Sequence, residues 1–351
     1  MKQRILRLKK LLEKKRLDAL FISYPANVSY LCGFSTHDSY ILASRKKNLL
    51  ITDARYSTEY RNLLDNDRIH IIEINKTLSY TLKSLKKELG IKRFAFEQEH
   101  LTCNHYQKLR ALFGKGTIPT NGIVEEMRAI KDATELEKIR KAISITIKAY
   151  KFAKRIIKPG MSELQVAAEI ERFIRLQGAT SASFDIIVAS GPHSSLPHAQ
   201  KTQRKIRKNE PVLIDMGVDY QGYKSDLTRV LFLGKMSAQF KKVFNIVKKA
   251  QLEAKKLIRP GTRLDRIDRA ARQYISKSGY GDCFKHSLGH GVGLEVHEPP
   301  AVVPRNKKYL KAGMVFTIEP AIYLDNNFGV RIEDMVLVTP KGVEVLSAAS
   351  N

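Results

Sequence analysis

The sequence predicts a mixed α/β (α+β) protein of two domains, and three observations carry that prediction. The first ~125 residues alternate short β-branched or aromatic runs with amphipathic stretches, the pattern of a small α/β domain. The remainder of the 351 residues runs helix, helix, hairpin twice over, which suggests two αβ halves related by pseudo-symmetry. Both hairpins carry paired carboxylates, Asp215 with Asp226 and Glu319 with Glu333.

The elements follow in order. Residues 1–16 read as an amphipathic helix with Ile5, Leu8, Leu11 and Leu12 on one face. Strands are expected at Ala19–Ser23, Tyr40–Ala43, Asn48–Thr52, His70–Ile74 and Phe94–Phe96, with a helix over Leu78–Leu89. The N-terminal domain ends near Val124, so the domains are 1–125 and 126–351, joined through Glu125-Glu126-Met127-Arg128-Ala129-Ile130-Lys131. Asp132 with Glu135 makes a capping-box start. Leu136, Ile139, Ile143, Ile147 and Tyr150 then mark a helix, Gly160 breaks it, and Ser162–Arg175 is a second. A strand over Phe184–Ala189 and the first hairpin follow. Helices over Phe240–Ile258 and Leu264–Ser276, a histidine-rich segment and the second hairpin complete the chain. No low-complexity stretch or short-period repeat is visible.

Composition narrows the functional classes. Hydrophobic content of 43% is ordinary for a soluble chain. No apolar run reaches the ~18 residues of a membrane span, and Met1-Lys2-Gln3-Arg4 does not lead into the apolar core of a signal peptide. Cys32, Cys103 and Cys283 are odd in number and lack metal-type spacing, which points to a reducing, cytoplasmic compartment. The net charge is 62 − 35 = +27. Its lysines are scattered through almost every helix, and no helix-turn-helix, zinc-finger or RNA-recognition signature appears, so nucleic acid is not the expected partner.

The hairpins concentrate negative charge. The first pair lies in Val212-Leu213-Ile214-Asp215-Met216-Gly217 and Lys224-Ser225-Asp226-Leu227-Thr228-Arg229, either side of the turn Tyr220-Gln221-Gly222. The midpoint of 215 and 226 falls inside that turn, so the aspartates are expected directly opposite each other, with Cβ atoms ~5 Å apart. Thr317-Ile318-Glu319 and Arg331-Ile332-Glu333 flank Asp325-Asn326-Asn327 in the same way, with Asn326 at the midpoint. Like charges opposed on a sheet destabilise it, so two such pairs call for a compensating cation. The segment His286-Ser287-Leu288-Gly289-His290-Gly291-Val292-Gly293-Leu294-Glu295-Val296-His297-Glu298 adds three histidines. One imidazole with four carboxylates suits two hard or borderline divalent ions, such as Mn, Co or Fe, with Zn a further candidate. Two ions ~3.5–4 Å apart, bridged by carboxylates and a water, make a hydrolytic site.

These segments resemble the pita-bread metallopeptidases, the family of methionine aminopeptidase, prolidase and aminopeptidase P. The matching motifs are Leu213-Ile214-Asp215-Met216-Gly217, Ser225-Asp226-Leu227-Thr228-Arg229, Gly289-His290-Gly291-Val292-Gly293, Val296-His297-Glu298, Thr317-Ile318-Glu319-Pro320 and Val330-Arg331-Ile332-Glu333-Asp334. Weaker similarity extends to Asn27-Val28-Ser29-Tyr30-Leu31-Cys32-Gly33-Phe34 and Thr52-Asp53-Ala54-Arg55-Tyr56. The resemblance implies a creatinase/prolidase-like α/β domain followed by a pita-bread domain. It implies that Asp215 binds one ion, that His290 and Glu319 bind the other, and that Asp226 and Glu333 bridge. His297 matches the catalytic histidine that donates to the developing oxyanion. His198, in Ser194-Ser195-Leu196-Pro197-His198, matches the histidine that contacts substrate near the scissile nitrogen. Glu319 serves also as proton acceptor from the attacking water. Thr228 and Arg331 orient the ligands. Phe184 and Val296 stand where the family has an apolar pocket wall, and His286 shapes the pocket. His37 and Asp38 lie on a loop that, in prolidase-like dimers, reaches the partner's active site. The substrate-contacting set is therefore Phe184, His198, His286, Val296, Arg331 and His37.

The implied activity is hydrolysis of an Xaa-Pro bond at the N-terminus of short peptides by a homodimer with two divalent ions per chain, Mn foremost. Proline removes the amide N–H that general peptidases grip, whereas a dinuclear site holds the free amine, polarises the carbonyl and delivers a metal-bound hydroxide. Many prolidases carry an arginine shortly after the His-Glu-x-Pro segment, where it holds the dipeptide carboxylate. Here His297-Glu298-Pro299-Pro300 is followed by Ala301, which tilts the expectation from strict dipeptidase toward aminopeptidase P; Arg305 is the nearest substitute. The rival is a non-catalytic pita-bread module binding proteins or nucleic acid. Such relatives, like the metal-free creatine-hydrolysing enzymes, lose ligands that this chain keeps.

Overall fold

The computed structural model describes residues 2–64 and 68–348. The chain divides into two compact units, Met1–Arg128 and Ala129–Asn351. The division follows the helix Ile123–Arg128, inside the segment read as the join and three residues beyond 125 (128 − 125).

The N-terminal unit is built on one six-stranded sheet. Its strand order is His70–Glu73, Asn48–Thr52, Tyr40–Ser44, Ala19–Ile22, Phe94–Glu97, Thr117–Thr120. The three central pairings mix antiparallel hairpin contacts with a parallel neighbour, and both edge strands pair in parallel. Ala19–Ile22, Asn48–Thr52 and Phe94–Glu97 are buried along their whole length, which is why they read as continuous apolar runs. Phe21, Leu42, Ile51, Leu82, Phe94 and Phe113 lie in the core that the helices close. Pro25–Cys32, Ala54–Leu63 and Cys103–Phe113 are among the helices that escape the periodicity pattern. Their signals are at their starts. Pro25 opens the first, Asp53 accepts from Arg55 N, and Thr102 accepts from His105 N.

The C-terminal unit has two halves of similar build. Helices Ala133–Ile156 and Glu163–Leu176 form one core with the antiparallel strands Ile187–Ser190, Glu210–Met216 and Leu227–Leu233. Helices Ala238–Lys255 and Leu264–Lys277 form another with a five-stranded sheet that includes Gly289–Gly291, Val315–Ile318 and Asp334–Thr339. The capping box at Asp132 and Glu135 is present, with a second at Ser162 and Gln165. The expected strand over Phe184–Ala189 begins only at Ile187.

Register decides where the carboxylates stand. In the first hairpin Asp215 faces Thr228, not Asp226. The turn is centred on Gln221 and Gly222, which both take positive φ (51° and 85°), as a two-residue hairpin loop of the primed type demands. Asp219 therefore pairs with Lys224 and Tyr220 with Tyr223. Moving the turn centre by one residue moves the register by two, so Asp226 lies on the diagonal from Asp215 rather than opposite it. The second hairpin keeps the expected register. Ala321 faces Arg331 and Ile318 faces Asp334, with Asn326 in the left-handed region at the turn (φ 57°). Glu319 and Glu333 sit opposite each other between those two ladders.

Candidate active site

The carboxylates and histidines meet in a cavity of about 450 Å³ in the C-terminal unit. Its lining includes Asp215, Asp226, His290, Glu319 and Glu333, together with Phe184, His198, His286, Val296, His297 and Arg331. Of the substrate-contacting set expected from sequence, His37 is not in the lining. It stands in the N-terminal unit, where its N–H donates to Tyr60 Oη at 2.8 Å, and the neighbouring Asp38 pairs with Arg55 at 2.9 Å.

The four carboxylate candidates arrive at strand ends. Asp215 is near the end of Glu210–Met216, and Asp226 immediately precedes Leu227–Leu233. Glu319 follows Val315–Ile318 and Glu333 precedes Asp334–Thr339. His290 is the middle residue of the short strand Gly289–Gly291. That strand is squeezed by its neighbours. A Cβ on Gly289 would stand 1.9 Å from Thr317 O, and one on Gly291 2.3 Å from Pro299 O. Only glycine fits either side of His290.

Polar partners hold the candidate ligands in place. Thr228 Oγ1 donates to Glu333 Oε2 at 2.8 Å and accepts from Arg331 Nε at 3.1 Å. Arg331 Nη2 donates to Asp215 Oδ2 at 2.5 Å, while Nη1 reaches Tyr323 Oη at 2.5 Å and Pro197 O at 3.1 Å. Thr317 Oγ1 accepts from His290 N and donates to Glu319 Oε1, both at 3.1 Å. His290 Nε2 is 3.2 Å from Glu319 Oε1 and 3.7 Å from Asp226 Oδ2. His286 Nε2 is 3.1 Å from Tyr323 Oη, and its Nδ1 lies 2.8 Å from Ser287 O, so His286 belongs to the wall. The His297 ring stands 4.2 Å from that of His290.

Sequence reasoning overlooked Tyr323 and Thr317. A signal existed for both. Thr317 is two residues from Glu319 along an extended segment, hence on its face. Tyr323 is diagonal to Arg331 across the hairpin, because Ala321 faces Arg331 and Tyr323 faces Gly329.

The electrostatics ask for cations. Asp226 and Glu333 are buried at 5% and 2% exposure. Burial, then the charges of Glu333, Asp215 and Glu319, push Asp226 well above the carboxylate range. Burial, then Glu319 and Asp215, push Glu333 up to about 8. Burial alone would lower His290, but its bond and charge interaction with Glu319, with Glu333 adding, hold it up to about 9. Asp226, His290 and Glu333 each offer a ligand atom within 4.8 Å of the others. Asp215 Oδ1 is buried with no hydrogen-bond partner among the described residues. Divalent ions fit this donor set of four carboxylates and one imidazole. His297, in contrast, is held below its ordinary value by burial and then by His290. It is therefore a neutral N–H donor at neutral pH.

Known families and solved structures resemble this chain along almost its whole length. Residues 137–340 match the model of metallopeptidase family M24, and residues 4–130 match the creatinase/prolidase N-terminal domain. The fold is similar to that of an Xaa-Pro dipeptidase from Bacillus anthracis, with TM-score 0.96 and 37% identity over 99% of this chain and 98% of that one. An X-Pro aminopeptidase from Thermotoga maritima gives TM-score 0.90 and 37% identity over 98% of each chain. An Xaa-Pro dipeptidase from Pyrococcus furiosus is 34% identical over 99% of this chain and 98% of its own.

Proposed function

The chain belongs to metallopeptidase family M24, and we propose that it is an exopeptidase cleaving the Xaa-Pro bond at the N-terminus of short peptides. The observation that carries this reading is the convergence of Asp215, Asp226, His290, Glu319 and Glu333 with His198 and His297 on one cavity. Those first five residues would hold two divalent ions, Mn foremost. Such ions, when bound, polarise a carbonyl and lower the pKa of water.

The chain's own residues do the rest. Arg331 fixes Asp215, and Thr228 and Thr317 fix Glu333 and Glu319, so the ligand oxygens are oriented before substrate arrives. Glu319 takes the proton of the attacking water. Neutral His297 donates to the oxyanion as it develops. His198 reaches the substrate beside the scissile nitrogen, and Phe184 and Val296 shelter the apolar side chains. Free Cys32, Cys103 and Cys283 suit a cytoplasmic location. Among the described residues, no helix is long and apolar enough to cross a membrane.

Relatives at the same 37% identity carry dipeptidase and aminopeptidase names. We favour the aminopeptidase P type. Neither Ala301 nor Arg305 lines the cavity, and the guanidinium that does, Arg331, is engaged with Asp215. Lys201, near the cavity, is paired with Asp185. Among the described residues lining the cavity, a dipeptide carboxylate thus finds no guanidinium that is not already engaged. The test is hydrolysis by Mn-loaded protein of a matched Xaa-Pro dipeptide and Xaa-Pro-Xaa tripeptide. Cleavage of neither overturns the function, and cleavage of the dipeptide alone overturns the preference.

A further inference from the structure

A single carboxylate outside the cavity holds both ends of the segment that brings His198 into it. Glu163 is the first residue of the helix Glu163–Leu176 and is wholly shut off from solvent (0% exposed). Its Oε1 accepts the backbone N–H and the hydroxyl of Ser190, each at 2.8 Å. Its Oε2 accepts the backbone N–H of Thr202 at 3.1 Å and the Thr202 hydroxyl at 2.8 Å, and stands 3.1 Å from His193 Nδ1. One oxygen serves the residue that enters the segment 191–201. The other serves the residue that leaves it.

Backbone contacts tighten the same knot. Glu163 N donates to Arg204 O and Leu164 N to Thr202 O, at 3.2 and 3.0 Å. Arg204 Nη1 donates to Ser190 Oγ at 2.5 Å and to Glu210 Oε1 at 2.7 Å. Within the segment, Pro197, His198, Ala199 and Gln200 line the cavity. Its middle is tied to the strand Phe328–Arg331, since Gly329 N donates to Ser194 Oγ and Arg331 Nη1 to Pro197 O. Hydrogen bonds to a carboxylate are stronger than neutral ones, and a buried N–H left without a partner is costly. The ends of the segment therefore move only if Glu163 moves.

We propose that Glu163 is a positioning residue for peptide hydrolysis, setting the place of His198 in the cleft by clasping Ser190 and Thr202. This rests on His198 contacting substrate, as assigned above. Glu163→Gln is the sharpest variant. Each carboxylate oxygen receives one backbone N–H, so whichever way the amide turns, its NH₂ meets an N–H and one end is released. The expected result is unchanged metal content, faster amide exchange across 190–202, and kcat/KM on an Xaa-Pro-Xaa peptide lower by about 10- to 100-fold, the scale of a ~1 Å misplacement. In a His198→Ala background the same substitution is expected to cost nothing further. Thr202→Val removes one hydroxyl bond from the same carboxylate; it is expected to show a smaller loss with the same dependence on His198 and serves if Glu163→Gln does not fold. Equal losses with and without His198, or unchanged exchange across 190–202, overturn the proposal. His198→Ala with full activity overturns the role of His198, and the proposal with it.

Discussion

Arg331 donates to Asp215 across 2.5 Å, and the same guanidinium spans to Thr228 and Tyr323. It thereby ties a carboxylate from the first hairpin to a hydroxyl that itself holds Glu333, from the second. Lysine carries the charge but not the fork. Arg331→Lys is expected to keep the fold and to lower metal affinity or activity by about 10–100-fold. Unaltered metal titration together with unaltered kcat/KM would contradict this.

His297→Ala separates binding from chemistry. It is expected to leave metal content intact and to lower kcat by roughly 10²-fold or more, as the loss of one oxyanion donor does. Asp226→Ala and Glu333→Ala are expected to abolish tight loading instead, because each removes a candidate ligand and leaves the neighbouring carboxylates unbalanced. Elemental analysis beside kinetics distinguishes the two classes; loss of metal from His297→Ala would exchange its role with that of His290.

Metal loading should compete with protons. Glu333 lies up at about 8 and His290 at about 9, and both must be unprotonated to act as ligands. Both groups bind protons more tightly folded than unfolded, so their contribution to metal-free stability is present at low pH and is lost as pH rises through those values. Bound cations remove that loss. The gap in Tm between Mn-loaded and metal-free protein should widen from about pH 6 to about pH 9, and calorimetry should find protons released on loading at neutral pH. A constant gap with no proton release would refute the electrostatic account.

Lys131 donates to Glu298 at 2.8 Å with both side chains sealed from solvent. Glu298 also receives Glu295 N at 3.3 Å, beside His297. Lys131→Met removes one member of this buried ion pair and is expected to lower stability by a few kcal/mol, about 3–5 at most. Adding Glu298→Gln, which removes the charge yet keeps an acceptor for Glu295 N, should recover part of it. Equal denaturation midpoints for the single and double variants would argue against the ion pair.

The +27 charge and the N-terminal unit make a last pair of expectations. Nucleic acid should be held weakly and released by about 200 mM salt, as scattered phosphate contacts are. The protein should be a dimer by light scattering, and deleting His37 and Asp38 should change substrate-length preference while sparing metal binding. A monomer, or tight sequence-selective binding at that salt, would contradict these.

Much of this protein is written in short-range pattern. The capping box at Asp132, the second hairpin's register about Asn326, and the glycines flanking His290 all follow from local rules. The paired carboxylates and the glycine-rich histidine segment are likewise legible from hairpin symmetry and composition, whereas His198, His286, His297, Phe184 and Val296 follow only from the resemblance to the pita-bread family. Other features depended on the assembled fold. The first hairpin's true register required knowing that Gln221 and Gly222, not Tyr220, take the positive φ angles. Helices such as Ala54–Leu63 are marginal by sequence and are fixed by caps and by packing that periodicity does not report. The clasp of Glu163 on Ser190 and Thr202 joins residues 27 and 39 apart in sequence (190 − 163 and 202 − 163). No local pattern announces such a contact, since a buried carboxylate is selected by the donors that only the folded chain brings to it.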